Sequence, residues 1–332
     1  MLLYVLIGLG AGAASGLLYA AAGTGSVLGF IAPLPLMIAG LGWRSFTSAL
    51  GAVFGAAVAA SMAGPRGGVG FALAVAVPAV WLSALALLAR PRAPGDPALE
   101  WYPVGRLLLW AGLLAAVLVF ATLVLSFGET GFETRVAALF AEALRQHGVA
   151  ESEAGAIALW LARIAPSVSA VLWMLTLLAN LWGAGRIVRA SGRSQRPWPD
   201  LGAISLPPAA APGLAVAVVA LFMPDFVRVG AGVLASVLVA AFMLVGLAVL
   251  HSVTRGRAAR PFMLGALYAG LVLLPWTGLL LALVGLAEPV LKLRRRRQAR
   301  ALPNGPQPPP GSRPSQGSQP PRGSQPSQDS DP

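Results

Sequence analysis

The stretch Val104–Phe127, VGRLLLWAGLLAAVLVFATLVLSF, decides the class of this chain. Its only charge is Arg106, close to its start. At 1.5 Å of rise per residue it makes a helix about 36 Å long, enough to cross about 30 Å of hydrocarbon. No water is present in that layer, so each backbone N–H and C=O must bond within the segment, which a helix achieves. The apolar residues run continuously and do not alternate with polar ones, which excludes an outer-membrane barrel.

The same reading extends outward to Leu3–Ala22, Val27–Leu41, Phe46–Ala63, Val69–Ala89, Pro166–Val188, Ala211–Met223, Val227–Leu250 and the block Pro261–Leu291. Several are short, which implies tilt, local thinning or burial inside a bundle. The chain is 57% hydrophobic and 11% charged, against about 25% charged for a soluble domain. There is too little polar surface to coat a water-soluble core. Met1–Ala22 lacks a basic leader region and runs straight into further apolar segments, so it reads as a retained first helix. The expected fold is an all-α polytopic integral membrane protein, a helical bundle of about 8–10 membrane segments.

Charge orients the bundle. The net charge is +12, and the arginines fall in alternate loops, as the positive-inside rule requires. With a cytoplasmic N-terminus, the inner loops carry Arg44, then Arg90, Arg92 and Arg106, then Arg186, Arg189, Arg193 and Arg196, then Arg255, Arg257 and Arg260. The outer segments carry Arg66, Arg228 and the acid-rich stretch 128–165. The partner implied by this placement is the lipid bilayer, and no nucleic acid is expected. The basic run Lys292–Arg300 must also lie inside. As one helix Pro261–Leu291 would be about 45 Å long, but Leu274-Pro275-Trp276-Thr277-Gly278 interrupts it. Two short helices turning near Pro275 return the tail to the cytoplasm; one long kinked helix is the alternative. Arg294, Arg295, Arg296 and Arg297 then form a membrane-surface basic patch suited to anionic lipid. Residues 301–332 are Pro, Gln, Ser and Gly with almost no apolar side chain, and are expected to be disordered.

Between the fifth and sixth long spans the periodicity changes. Phe132, Val136, Leu139, Phe140, Ala143 and Leu144 share one helical face, with Glu133, Glu142 and Arg145 off it. After His147-Gly148 the pattern resumes at Ile157, Trp160, Leu161 and Ile164. This predicts an amphipathic extracytoplasmic helical pair, lying in the interface or capping the bundle, with a substrate lid as the sharper alternative.

Candidate chemistry is sparse. There is no cysteine, which excludes disulfides, thiol catalysis and cysteine metal sites. His147 and His251 have no metal-ligand spacing, and the only lysine is Lys292. The acids lie in loops or at span ends, with Asp225 after a proline and Glu288 before one, which argues against a mid-membrane proton relay. No enzyme activity, metal or cofactor is therefore expected. Asn180 is the deepest polar side chain. With Thr176 and Trp173 it is a candidate ligand lining, the alternative being a helix–helix hydrogen bond. Gly8, Gly12 and Gly16 recur every fourth residue, as do Gly51, Gly55 and Ala59. Such smooth stripes suit close helix packing, either internal or against a partner membrane protein on the first helix.

Four stretches carry a family resemblance: Ile31-Ala32-Pro33-Leu34-Pro35-Leu36; Glu100-Trp101-Tyr102-Pro103 leading to Gly105-Arg106 and Trp110; Gly246–His251; and Gly285-Leu286-Ala287-Glu288-Pro289 running into Leu293-Arg294-Arg295. In order and spacing they resemble the YybS-like family of predicted bacterial membrane proteins, a domain-of-unknown-function family, in its alphaproteobacterial form. Where that pattern carries Asp after the final Gly-Leu pair, this chain has Glu288 one position later. The resemblance implies a multi-pass protein of the bacterial cytoplasmic membrane, distantly similar to the substrate-binding components of energy-coupling-factor transporters. Two classes of function stay open: a substrate-binding or transport component, and a non-transporting scaffold or envelope-biogenesis factor. Converging polar groups around an internal cavity distinguish the first from the second.

Overall fold

The two glycine stripes meet each other. The first helix, α1 (Leu2–Ala22), runs parallel to α3 (Ser45–Phe71), and a Cβ built on Gly8 would stand 2.8 Å from the Thr47 carbonyl oxygen. One on Gly16 would stand 2.7 Å from that of Gly55, and reciprocally one on Gly55 would stand 2.7 Å from that of Gly12. Backbones touch here because no side chain intervenes, which gives dispersion contacts that a lipid environment does not supply through a hydrophobic drive. The stripe on the first helix is thus covered by α3. The computed structural model describes residues 1–23, 26–93, 98–127, 132–274 and 276–294.

Helix α3 does not continue straight. At Ala63 and Gly64 its backbone leaves helical values, Gly64 taking φ +74 ahead of Pro65. Glycine has no Cβ to oppose that conformation, and proline starts the next helix without needing a donor. The chain doubles back so that Gly67 and Gly68 pack on Ala63 and Ala60. It then continues through a π-helical turn (Ala72–Ala76) into α4 (Val77–Ala86).

The second membrane segment departs from a plain helix. A 3-10 turn (Val27–Ile31) precedes a short α2 (Pro33–Gly42), since Pro33 and Pro35 remove two backbone donors. Irregular backbone at membrane depth requires internal partners. Ser15 donates to the Ala32 carbonyl at 2.7 Å, Ser48 to Leu36 at 2.9 Å, and Asn180 to Phe30 at 2.8 Å.

A short antiparallel ribbon of β1 (Ala89–Pro91) and β2 (Leu99–Trp101) then leads to α5 (Val104–Phe127). Helix α6 (Phe132–Gln146) turns at Gly148, with φ +85, and packs back on α7 (Glu151–Ala190). After a single 3-10 turn (Leu201–Ala203) follow α8 (Ala210–Ala220), α9 (Asp225–Val253), α10 (Arg260–Leu273) and α11 (Trp276–Leu291). Among the described residues five helical stretches are long and apolar enough to cross a membrane: Leu2–Ala22, Ser45–Ala86 (which folds back on itself at Gly64), Val104–Leu125, Glu151–Ala190 and Phe226–Val253. Shorter apolar helices accompany them, and apolar side chains such as Phe222 and Val272 are more than four-fifths exposed. The protein is an all-α polytopic membrane protein.

Two expectations need correction. Helix α7 is one continuous helix of 40 residues, about 60 Å long, rather than an amphipathic helix followed by a separate span at Pro166. Its N-terminal half and α6 pack against each other as a hairpin. The face it buries there is also different. Ala154, Ala158 and Ala162 are buried, whereas Trp160 is 60% and Ile157 39% exposed; on α6, Leu139 is 66% exposed. Small alanines let the two helices approach, which turns the larger side chains outward. Val136, Phe140 and Leu144 of the expected face remain half-buried against α7. At the hairpin base Glu133 pairs with Arg163 at 3.3 Å and Arg228 at 3.5 Å.

At the far end of the chain, α10 and α11 are two helices, broken at Leu274; Pro275 itself lies outside the described residues. Helix α11 packs closely on α9, a Cβ on Gly285 meeting the backbone of Phe242 and Gly246. This returns Arg294 to the end of the bundle that holds Asp200 and Arg255. Arg295, Arg296, Arg297 and the tail 301–332 lie outside the described residues.

Candidate functional site

The arginine-bearing ends of α4, α5, α7 and α9 surround a cavity of about 480 Å³. Its walls are leucines from distant parts of the chain: Leu107 and Leu108 on α5, Leu178 and Leu181 on α7, Leu244 and Leu247 on α9. Its mouth holds Arg196, His251, Arg255, Arg260 and Tyr268, and no acid is among the lining residues. Such a volume lies within the range of about 300–1,000 Å³ typical of small-molecule sites.

The segment between α7 and α8 folds over the cavity as a lid. Arg196-Pro197-Trp198-Pro199 forms its centre, and prolines keep it extended. Arg196 ties it down, donating from Nη1 to the Ala86 carbonyl at 2.9 Å and from Nη2 to the Tyr102 carbonyl at 3.0 Å. Gln195 donates to the Leu41 carbonyl at 3.2 Å and the Trp43 carbonyl at 3.3 Å. The Trp198 ring lies under two guanidinium groups, Arg189 at 5.5 Å and Arg186 at 5.7 Å, favourable cation–π placements. Asp200 accepts from Arg255 at 3.0 Å and from the Gly202 N–H at 2.9 Å. Arg294 donates to the Ile204 carbonyl at 2.8 Å. Its own position is set by Glu288, whose carboxylate accepts the Leu293 and Arg294 N–H groups at 3.2 and 3.3 Å.

These contacts set the local electrostatics. The Arg255 guanidinium, with help from the Gly202 N–H, holds the Asp200 carboxyl below its ordinary value. Burial lowers the affinity of Arg196 and of Arg294 for their protons, because the charged form loses water. Among the described residues neither Arg196 nor Arg260 is ion-paired with an acid, and the Nε of Arg260 is buried without a hydrogen-bond partner. His251 Nδ1 donates to the Leu247 carbonyl at 3.2 Å, and its Nε2 lies 3.3 Å from the Tyr268 hydroxyl. The mouth therefore presents hydrogen-bond donors and positive charge above an apolar interior. It has the makings of a binding site. Among the described residues no cluster of His, Asp and Glu suited to a metal occurs.

The side chains singled out as candidate ligand lining lie elsewhere. Asn180, Thr176 and Trp173 occupy the face of α7 opposite Leu178, Leu181 and Trp182, and none of them lines the cavity. Asn180 is buried and donates to Phe30 and Thr176 carbonyls, each at 2.8 Å, so it tethers α7 to the irregular second segment. Trp173 packs against the core. Of the basic patch, Arg294 is half-buried against the lid rather than free at the membrane surface. Sequence reading passed over Trp198 and the pairing of His251 with Tyr268, and took Arg260 only as a loop charge. The signal available was Arg196-Pro197-Trp198-Pro199-Asp200, an aromatic between prolines inside a loop otherwise read only for its charge.

The geometry also accounts for one of the family-like stretches. In Glu100-Trp101-Tyr102-Pro103, Glu100 pairs with Arg90 at 2.8 Å, Trp101 lies under Arg196 at 5.9 Å, and the Tyr102 hydroxyl accepts from Trp110 at 3.0 Å. Gly105 follows because Ser205 of the lid lies against it; a Cβ there would stand 2.7 Å from the Ser205 carbonyl carbon. Comparison with protein-family models, with curated proteins and with solved structures finds no match for this chain.

Proposed function

We propose that this protein is a multi-pass component of the bacterial cytoplasmic membrane that binds a solute for transport, taking it into the cavity from the arginine-bearing side. One observation carries the reading: a 480 Å³ cavity with apolar walls and a mouth bearing Arg196, Arg255 and Arg260, with no acid among its lining residues. A scaffold gains nothing from such a space, since an unfilled cavity forgoes dispersion contacts and lowers stability. Positive charge at the mouth fits the inner side of a membrane, by the positive-inside rule. The resemblance to the YybS-like family, and through it to energy-coupling-factor substrate-binding components, agrees with this role without naming a ligand.

Trp198 lines the cavity and reports on it. A brominated long-chain alcohol, added to the purified full chain in detergent, is expected to quench Trp198 fluorescence, read as the difference between the protein and its Trp198→Phe variant. Ala248→Phe, which fills the cavity, is expected to abolish that difference while the protein stays folded. Quenching that is the same with the cavity filled or open would favour the scaffold.

A further inference from the structure

The cavity and its mouth ask different things of a ligand. The leucine walls offer no polar partner and favour a hydrocarbon chain, at about 25 cal/mol for each Å² removed from water. The mouth offers guanidinium donors and one imidazole–phenol pair. Among the described residues Arg196 and Arg260 have no carboxylate paired with them, and the Nε–H of Arg260 is buried without an acceptor. A buried donor left unmet costs free energy, which an arriving acceptor recovers. Arg255 is already paired with Asp200 at 3.0 Å.

A ligand that satisfies both ends is an anionic amphiphile. The headgroup must also serve more than one guanidinium. A carboxylate has two oxygens, which one arginine occupies in a bidentate pair. A phosphate monoester has three acceptor oxygens and a charge of about −1.5 to −2 near pH 7. The volume admits one chain rather than a whole two-chain lipid, whose second chain would lie outside among the bilayer lipids.

We propose that this cavity holds a single-chain amphiphile with a phosphate monoester head, its chain among the leucines of α5, α7 and α9 and its phosphate against Arg260, Arg255 and Arg196. The assignment rests on the cavity being a ligand site, as argued above. The lid bearing Arg196 and Trp198 closes over the junction of chain and head.

The test is competition against the Trp198 quenching signal, using dodecyl phosphate, dodecanol and inorganic phosphate as separate probes. Dodecyl phosphate is expected to displace the brominated alcohol at a concentration about tenfold lower than dodecanol, the effect of one charge-assisted hydrogen bond. Inorganic phosphate alone is expected to displace nothing at concentrations where dodecyl phosphate is saturating. Arg260→Gln should remove the tenfold advantage and leave dodecanol competition unchanged, which also shows that the variant is folded. Arg260→Lys should restore part of it. Equal competition by dodecanol and dodecyl phosphate would overturn the headgroup assignment, and so would an advantage untouched in Arg260→Gln. Displacement by inorganic phosphate as strong as by dodecyl phosphate would make this a free-anion site and overturn the amphiphile. In each of those results the cavity still takes the brominated alcohol, so the binding role survives; absence of any Trp198 quenching would remove both.

Discussion

Adding one methyl group at Gly12 tests the packing on which the first half of the bundle depends. In Gly12→Ala the new Cβ would stand 2.9 Å from the carbonyl carbon and 3.0 Å from the Cα of Gly51, both backbone atoms of α3. Ordinary carbon contacts lie at about 3.5–4.0 Å, so the two helices must part by about 0.5–1 Å. A gap of that size forfeits about a quarter to a half of each affected contact, and it spreads along Gly8, Gly12 and Gly16 together. Overpacking of this kind costs about 1–3 kcal/mol. The gain in helix propensity returns at most about 1 kcal/mol. Gly10, on the same helix, is the internal control: a Cβ there meets nothing within 4 Å, so Gly10→Ala should be neutral or mildly stabilising. The assay is unfolding of the purified full chain in mixed micelles, followed by tryptophan fluorescence. The expected result is that Gly12→Ala is less stable than Gly10→Ala by at least about 1 kcal/mol. Equal stability of the two variants would refute the reasoning, because α1 and α3 would then not meet on this face. A stable Gly12→Ala that loses a co-purifying membrane protein would refute it differently, by placing the stripe against a partner.

Other expectations follow from sidedness, the hairpin and the lid. Since the chain has no cysteine, Ser152→Cys and Ser191→Cys are clean probes, and an impermeant thiol reagent on intact cells should label the first and spare the second; labelling of both or of neither contradicts the topology. Phe140→Asp should destabilise the α6–α7 hairpin, because the half-buried ring would give way to an unpaired carboxylate, whereas Glu142→Ala on the exposed side should be nearly silent; protease protection of the hairpin reads the difference, and equal effects would overturn the assignment of faces. Asp200 is held below its ordinary carboxyl value by Arg255, so its anchoring of the lid is fully present above about pH 4, the unfolded value, and is lost as pH falls through the lower folded value. Trp198 fluorescence should therefore stay constant from neutral pH down to about pH 5 and change in stronger acid; in Asp200→Asn that acid transition should be absent, and a transition that persists would assign it to another group.

Hydropathy and charge are properties of a segment by itself, and so the sequence alone determined the membrane class, the placing of most spans and the gathering of arginines at one end. A run such as Val104–Phe127 must be helical in lipid whatever surrounds it. The turn at Gly148 and the division of the last apolar block near Pro275 were likewise legible, because glycine and proline act on the local backbone. Which face of a helix meets which neighbour is not a local property. Gly8, Gly12 and Gly16 were visible as a stripe, yet only the tertiary structure brought Gly51 and Gly55 against it. Asn180 was visible as a deep polar side chain, and its direction, toward the Phe30 carbonyl and away from the cavity, depended on the rotation of α7 within the bundle. Ala154, Ala158 and Ala162 displaced Trp160 and Ile157 from the hairpin interior because close approach outweighed side-chain size. The cavity itself joins residues from Leu41 to Tyr268. No single stretch of the chain contains it; it exists only where α4, α5, α7 and α9 end together beneath the lid.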